Sequence, residues 1–243
     1  MNKDTVNVYW APYYEEVPGE PDWSFLYPKP KNLFSINLEN KNKESNSSNY
    51  FACPAVSKKM KNTYVFSNHS NSSYVYDENS ISATSDNWIG AKKQRPAVTN
   101  QRPLFLFSLS YLLFSDQPLD TFFSPPYFHE PKYTKYATII PSEFDIGQWF
   151  RPFNFEVQTW SASGEIHFQE HEPLFYTEFK TDKKIKMNRF IMNEKLIKYS
   201  LACVQSKSIF GQGESLFKKY TRFNEVGLRE KILKEINNNL IEE

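Results

Sequence analysis

Residues 153–190 read "FNFEVQTWSASGEIHFQEHEPLFYTEFKTDKKIKMNRF". Phe153, Phe155 and Val157 alternate with polar residues, as a strand with one buried face requires. "SASG" supplies a turn, "EIHFQ" alternates again, "LFYTEF" is strand-like, and "TDKK" turns into "IKMNRF". The spacing predicts a meander of four strands joined by short turns, and so a β-rich body.

Inside this stretch "HFQEH" spells H-x-x-E-H from His167 to His171, the inverted form of a zinc-peptidase signature. That chemistry needs both imidazoles on one face of a helix, one turn apart. Gly164 and "SAS" precede the motif, Pro173 follows it, and Ile166 and Phe168 alternate with His167 and Gln169. On a strand, residues four apart stand roughly 13 Å apart and cannot share an ion. A strand followed by a turn is expected, without a metal. Jelly-roll Fe(II) enzymes offer a second metal reading, since they gather two His and one carboxylate from separate strands. None of His69, His129, His167 and His171 opens the H-x-D or H-x-E pattern of those enzymes; the nearest matches are "HEP" at His129 and His171.

Other catalytic signatures are missing. There is no G-x-S-x-G and no G-x-x-x-x-G-K, and the 7 glycines are too few for a doubly wound nucleotide fold. Cys53 and Cys203 have no local signature and read as small buried hydrophobes, their sparsity suiting a reducing compartment. No catalytic residue and no cofactor is assigned. With 29 basic and 28 acidic residues the net charge is +1, so nucleic acid is an unfavoured partner. The local basic cluster Lys92, Lys93, Arg95 and Arg102 reads as a solvated loop. The first ten residues turn polar at once after Met1 and carry no apolar run of the kind a signal peptide has. The longest apolar run, Leu104 to Phe114, is 11 residues, short of the roughly 20 a membrane helix needs. A soluble protein, not secreted by a signal peptide, is expected.

Aromatics, 21 Phe and 15 Tyr among 243 residues, favour strands. Residues 1–30 read as an extended arm or edge strand, punctuated by Pro12, Pro18, Pro21, Pro28 and Pro30. "LFSINLE" reads as a strand, and residues 40–49 as a polar loop and a candidate for disorder. "CPAVSKKMKN" suits a short helix with Pro54 in its first position. "TYVFS" and "SYVYD", separated by "NHSNS", read as a hairpin. "LFLFSLSYLLF" reads as a strand at a sheet centre, buried on both faces, with a turn at "SDQP" and another strand after it; a buried helix is the competing reading. From residue 193 the period changes. "NEKLIKYSLACVQ", "ESLFKKYTRF" and "GLREKILKEINNNLIEE" are helical, the last with Leu228, Ile232, Ile236 and Leu240 four apart. That stripe is expected to dock on its own body, with self-association through it as the alternative.

The most individual segment is "IIPSEFDIGQWFRPFNFEV". It suits one turn of helix capped by Ser142, with Trp149 and Phe150 buried and Arg151 pairing with Asp145 or Glu143 while covering Trp149. The functional alternative is a recognition site for a carboxylate or a sugar, built from Asp145, Trp149 and Arg151. This segment, together with "SDQPL", "PPYFHEP" and "EPLFYTEF", resembles an uncharacterised protein family of tailed phages and some bacteria over roughly residues 50–195. The resemblance implies a viral origin and a β-rich fold, and it brings no functional residues.

The expectation is therefore an α+β chain. A β-sandwich or jelly-roll body spans residues 1–192 and a helical tail 193–243. Its expected function is that of a non-enzymatic phage protein that binds another protein, in the virion or in the host cytoplasm. A jelly-roll metal-dependent oxygenase and a carbohydrate-binding module, the latter suggested by exposed Trp and Tyr, are the alternatives.

Overall fold

The structure is a computed structural model and describes residues 4–13, 26–36, 53–84, 90–94, 102–204, 216–225 and 227–241. The expected polar loop at 40–49 lies outside them. The chain is sheet-rich with a few helices, as expected of an α+β protein. The strands are β1 (Thr5–Pro12), β2 (Lys31–Asn32), β3 (Thr63–Ser67), β4 (Ser72–Tyr76), β5 (Ile81–Ala83), β6 (Gly90–Gln94) and β7 (Leu104–Ser115). After them come β8 (Asp120–Ser124), β9 (Ala137–Ile139), β10 (Ser142–Asp145), β11 (Pro152–Thr159), β12 (Gly164–Phe168), β13 (Pro173–Phe179) and β14 (Lys184–Arg189). The helices are α1 (Pro54–Met60), α2 (Glu194–Val204), α3 (Leu216–Glu225) and α4 (Leu228–Asn237).

The first sheet runs β14-β1-β7-β11-β9, with β6 also paired to β7. β7 is its central strand, as its apolar run predicts. β11 lies along one edge of it, while β6 and β1 share the other, β6 against Leu104–Ser108 and β1 against Tyr111–Ser115. The second sheet runs β10-β8-β13-β3-β2 and the third β12-β4-β5. One core draws on all three: Val8, Phe107 and Phe155 from the first, Phe66, Phe123 and Phe175 from the second, Tyr74 and Phe168 from the third.

Several sequence expectations change here. The segment at residues 5–12 is an inner strand, parallel to β14 and antiparallel to β7, rather than an arm. Val8, Trp10 and Ala11 have no exposed surface, so both faces of β1 are covered. Of "LFSINLE", residues 33–36 are helical. Lys92 lies on β6, paired to Leu106, instead of in a loop. Cys53 is exposed, whereas Cys203 is buried.

The four strands of residues 153–190 all exist, but they do not form a meander. β11 and β14 belong to the first sheet, β12 to the third and β13 to the second. Nor do β3 and β4 pair with each other. β3 pairs with β13 and β4 with β12. Ser67 is opposite Pro173 and Ser72 opposite Phe168, so four residues on each strand separate the two pairs. The two ladders are one ribbon bent at a corner. The corner's backbone is tied together: the Asn68 amide donates to Glu172 O (2.9 Å) and the His171 amide to Asn68 O (2.9 Å). The Glu170 amide donates to Asn71 Oδ1 (3.0 Å). His171 takes φ 66°, the left-handed conformation that a sharp reversal uses.

This corner accounts for "HFQEH". His167 lies on β12, its Nδ1 2.9 Å from Ser73 Oγ and its Nε2 3.1 Å from Glu165 Oε2. His171 lies on the turn, 3.4 Å from Glu170 Oε1.

The other face of the first sheet carries the helices. Tyr9, Leu112, Phe114 and Phe190 pack against Leu196, Phe223, Ile232 and Ile236. Ile232 and Ile236 are fully buried, so the stripe of α4 docks on its own chain; burial of each stabilises by about 1.5–3 kcal/mol. Asn193 caps α2, its Oδ1 accepting from the Leu196 amide (2.9 Å), and its Nδ2 donates to Glu235 Oε1 of α4 (2.8 Å). Beyond α4, Leu240 forms a bridge with Phe190, just past β14.

Candidate functional site

β9 and β10 are joined through Ile140 and Pro141, and there the chain passes from the first sheet to the second. β9 is short as a result. It pairs with β11 at Val157–Thr159, and one further bond runs from the Ile140 amide to Glu156 O (2.8 Å). Ser142–Asp145 then pair with β8. β11 continues past the end of β9 down to Pro152, and among the described residues no strand covers this length of its edge.

Backbone alternation shows which groups face the uncovered side. Glu156 O and the Trp160 amide point toward β9, whereas the Thr159 amide points toward the β7 side, donating to Pro103 O. Even-numbered residues of β11 therefore face outward from β7. The amide and carbonyl of Asn154 and the carbonyl of Pro152 look into the open space, and the Asn154 side chain is exposed. Pro141 and Pro152 bracket this edge and keep it short, a common protection against uncontrolled strand pairing.

A cleft of about 390 Å³ opens beside this edge. Its apolar wall comes from Phe123, Phe144, Phe153, Phe155 and Phe175, and Arg151 lines the same cleft. Phe123 stacks on Phe144 (5.0 Å, 12°), and Phe153 lies 4.6 Å from Phe123, so the wall is a packed aromatic cluster. The Arg151 guanidinium sits 5.0 Å over the Trp149 ring, as the sequence reading expects. Burial lowers the Arg151 pKa below the ordinary arginine value, a shift that nearby Cys203 opposes.

The rest of the corner departs from expectation. Ser142–Asp145 are strand and Ile146–Gly147 a turn, not a capped turn of helix. Asp145 does not pair with Arg151. Its Oδ1 accepts from the amides of Leu119 (2.8 Å) and Gly147 (2.7 Å), and its Oδ2 from Gln148 Nε2 (2.8 Å). Asp145 is 6% exposed, so it is a structural carboxylate satisfied by the turn it closes. Among the described residues no carboxylate, Glu143 included, forms an ion pair with Arg151. Phe150 is fully buried, while Trp149 is half-buried beside Tyr220 of α3 (5.4 Å). Helix α4 also holds this turn, as Arg229 Nε donates to Gly147 O (2.9 Å). A Cβ on Gly147 would strike Gln117 O, so the turn admits no larger residue without moving.

Of the three residues proposed from sequence, Arg151 lines the cleft with its guanidinium over the Trp149 ring, Trp149 itself lies outside the cleft lining, and Asp145 is engaged elsewhere. The phenylalanine wall and the Asn154 edge were not foreseen. Alternation marks Phe153 and Phe155 as inward-facing, but gives no sign that β9 ends early.

The histidines do not converge. His69 is buried, His129 meets the Tyr176 hydroxyl, and His167 and His171 flank the corner turn. Among the described residues no three His, Cys, Asp or Glu side chains gather as a metal-binding group, and no helix is long and apolar enough to cross a membrane. Comparison with family profiles, with curated proteins and with solved structures finds no match.

Proposed function

We propose that the protein acts by binding, and that its partner is another protein, an extended segment of which lies along the uncovered edge of β11. The observation that carries this reading is the early end of β9. It leaves the Asn154 amide and the Asn154 and Pro152 carbonyls facing a cleft ready to take a side chain. Strand addition works in this way, with main-chain bonds for affinity and pockets beside the edge for specificity. In this reading the three sheets form a β-sandwich-like body, and the helices of residues 193–243 are a tail that braces the corner through Tyr220 and Arg229. The protein belongs to a phage, as a virion component or as a factor directed at a host protein, and it works in the virion or the host cytoplasm.

A carbohydrate-binding reading is favoured by one separate observation. Trp160 and Tyr136 are 45% and 42% exposed. Trp160 Nε1 is fixed to Thr134 O (3.0 Å), and Tyr136 stands edge-on to His167 with ring centroids 6.1 Å apart. The oxygenase alternative lacks such support, because its donor set does not assemble among the described residues.

The two readings separate in one titration of isotope-labelled full-length protein. The probe for the first is the neutral peptide acetyl-Thr-Val-Thr-Val-Thr-amide at about 10 mM, where a millimolar complex worth about 4 kcal/mol is mostly formed. Amide shifts at Ile140, Asn154 and Glu156 support strand addition. No shift there, with cellohexaose moving Trp160 and Tyr136 instead, contradicts it.

A further inference from the structure

We propose that the segment bound at this flank is both apolar and acidic. One large apolar side chain enters the phenylalanine cleft, and a carboxylate of the same segment meets Arg151. This rests on the reading of the β11 edge as the binding surface and adds its side-chain specificity.

Three features carry the inference. The cleft's volume of about 390 Å³ lies within the range of ligand pockets, and five phenylalanines line it. A strand added beside Phe153 and Phe155 places its own inward side chains next to theirs, which selects an apolar residue. The third feature is charge. Arg151 lines the cleft, is partly desolvated, and forms no ion pair among the described residues; Asp145, its expected partner, is committed to the turn. A guanidinium presents a planar fork of donors that matches a carboxylate, and a desolvated cation favours a ligand bringing the opposite charge.

The cleft also has a polarity. Glu156 lines it too, next to the place where the Ile140 amide pairs with β11. A second carboxylate at that end would be repelled. The acidic group therefore belongs at the end of the segment away from Ile140, beside Arg151.

The test uses two small probes on labelled full-length protein, 3-phenylpropionate and its uncharged analogue 3-phenylpropanamide. The acid is expected to bind about tenfold more tightly, the ordinary gain from a charge-assisted hydrogen bond. It should shift the Arg151 Nε and Trp149 indole resonances. Arg151→Gln should erase the preference while the amide still binds, and Arg151→Lys should keep part of it. Equal binding of acid and amide, or a preference that survives Arg151→Gln, overturns the inference. If neither probe binds while the neutral pentapeptide still shifts Asn154, the side-chain specificity is wrong and the strand-addition reading stands. If the pentapeptide fails as well, both fall.

Discussion

Acidification should unfold this protein partly through one histidine. His69 is 3% exposed and stacks on Tyr27, with ring centroids 4.2 Å apart and planes at 18°. Neither of its ring nitrogens has a hydrogen-bond partner among the described residues. Burial pushes its pKa down from 6.5 to about 4. The folded-state pKa is depressed, so the unfolded chain takes up the proton first. The stability tied to this group is fully present above about pH 6.5, drains as the pH falls, and is gone below about pH 4. A difference of about 2.5 pKa units corresponds to about 3 kcal/mol, a large share of a typical domain's stability. The assay is urea unfolding of the wild type and of His69→Phe across this range. Phenylalanine keeps a ring against Tyr27 and removes the proton site. Burial also lowers the pKa of His129, but that contribution is common to both proteins and cancels. The wild type should lose about 2–3 kcal/mol more than the variant between neutral pH and pH 4.5. Equal losses would refute the reasoning.

Asp145→Ala should cost about 2–4 kcal/mol, because it orphans the Leu119 and Gly147 amides, whereas Asp145→Asn should cost less by keeping an acceptor; thermal melts of both measure the difference. Trp149→Ala should cost only about 2 kcal/mol, below the 3–5 expected of a fully buried tryptophan, because its ring is covered by Arg151 and Tyr220 rather than by core; chemical denaturation checks this. Deleting residues 225–243 removes Ile232 and Ile236 from beneath Tyr9 and Phe114, a loss of about 2–5 kcal/mol for each side chain. A large fall in melting temperature at unchanged mass in solution is expected. Release of folded monomers from a multimer would contradict docking on the same chain.

Residues 153–190 show what local pattern can and cannot reveal. Alternation reports that one side of a strand is buried, so Phe153, Phe155, Val157, Ile166 and Phe168 were readable as inward-facing. Pairing partners leave no such mark. A polar run like "NHSNS" serves equally as a hairpin turn or as the corner of a bent ribbon, and only the distant Glu170–Glu172 segment decides between them. β1 was hidden because prolines follow it closely. Pro12 is its last residue, opposite Tyr111, and leaves the strand before it intact. At the candidate site the chemistry was legible and the geometry was not. Trp149 and Arg151 stand together as expected, but the Asp145 carboxylate accepts from the Gly147 amide of its own turn and from the distant Leu119 amide, a partner that local sequence does not mark.

The uncovered edge itself can be measured without any ligand, by residue-resolved hydrogen exchange of the isolated protein. Alternation puts the amides of Phe155 and Val157 in the ladder with β7 and leaves the Asn154 amide facing the cleft. The account predicts slow exchange at Phe155 and Val157 and exchange at Asn154 faster by orders of magnitude, close to that of an open chain. Protection of Asn154 equal to that of its two neighbours would mean that this edge is already paired, and would contradict the binding surface proposed for it.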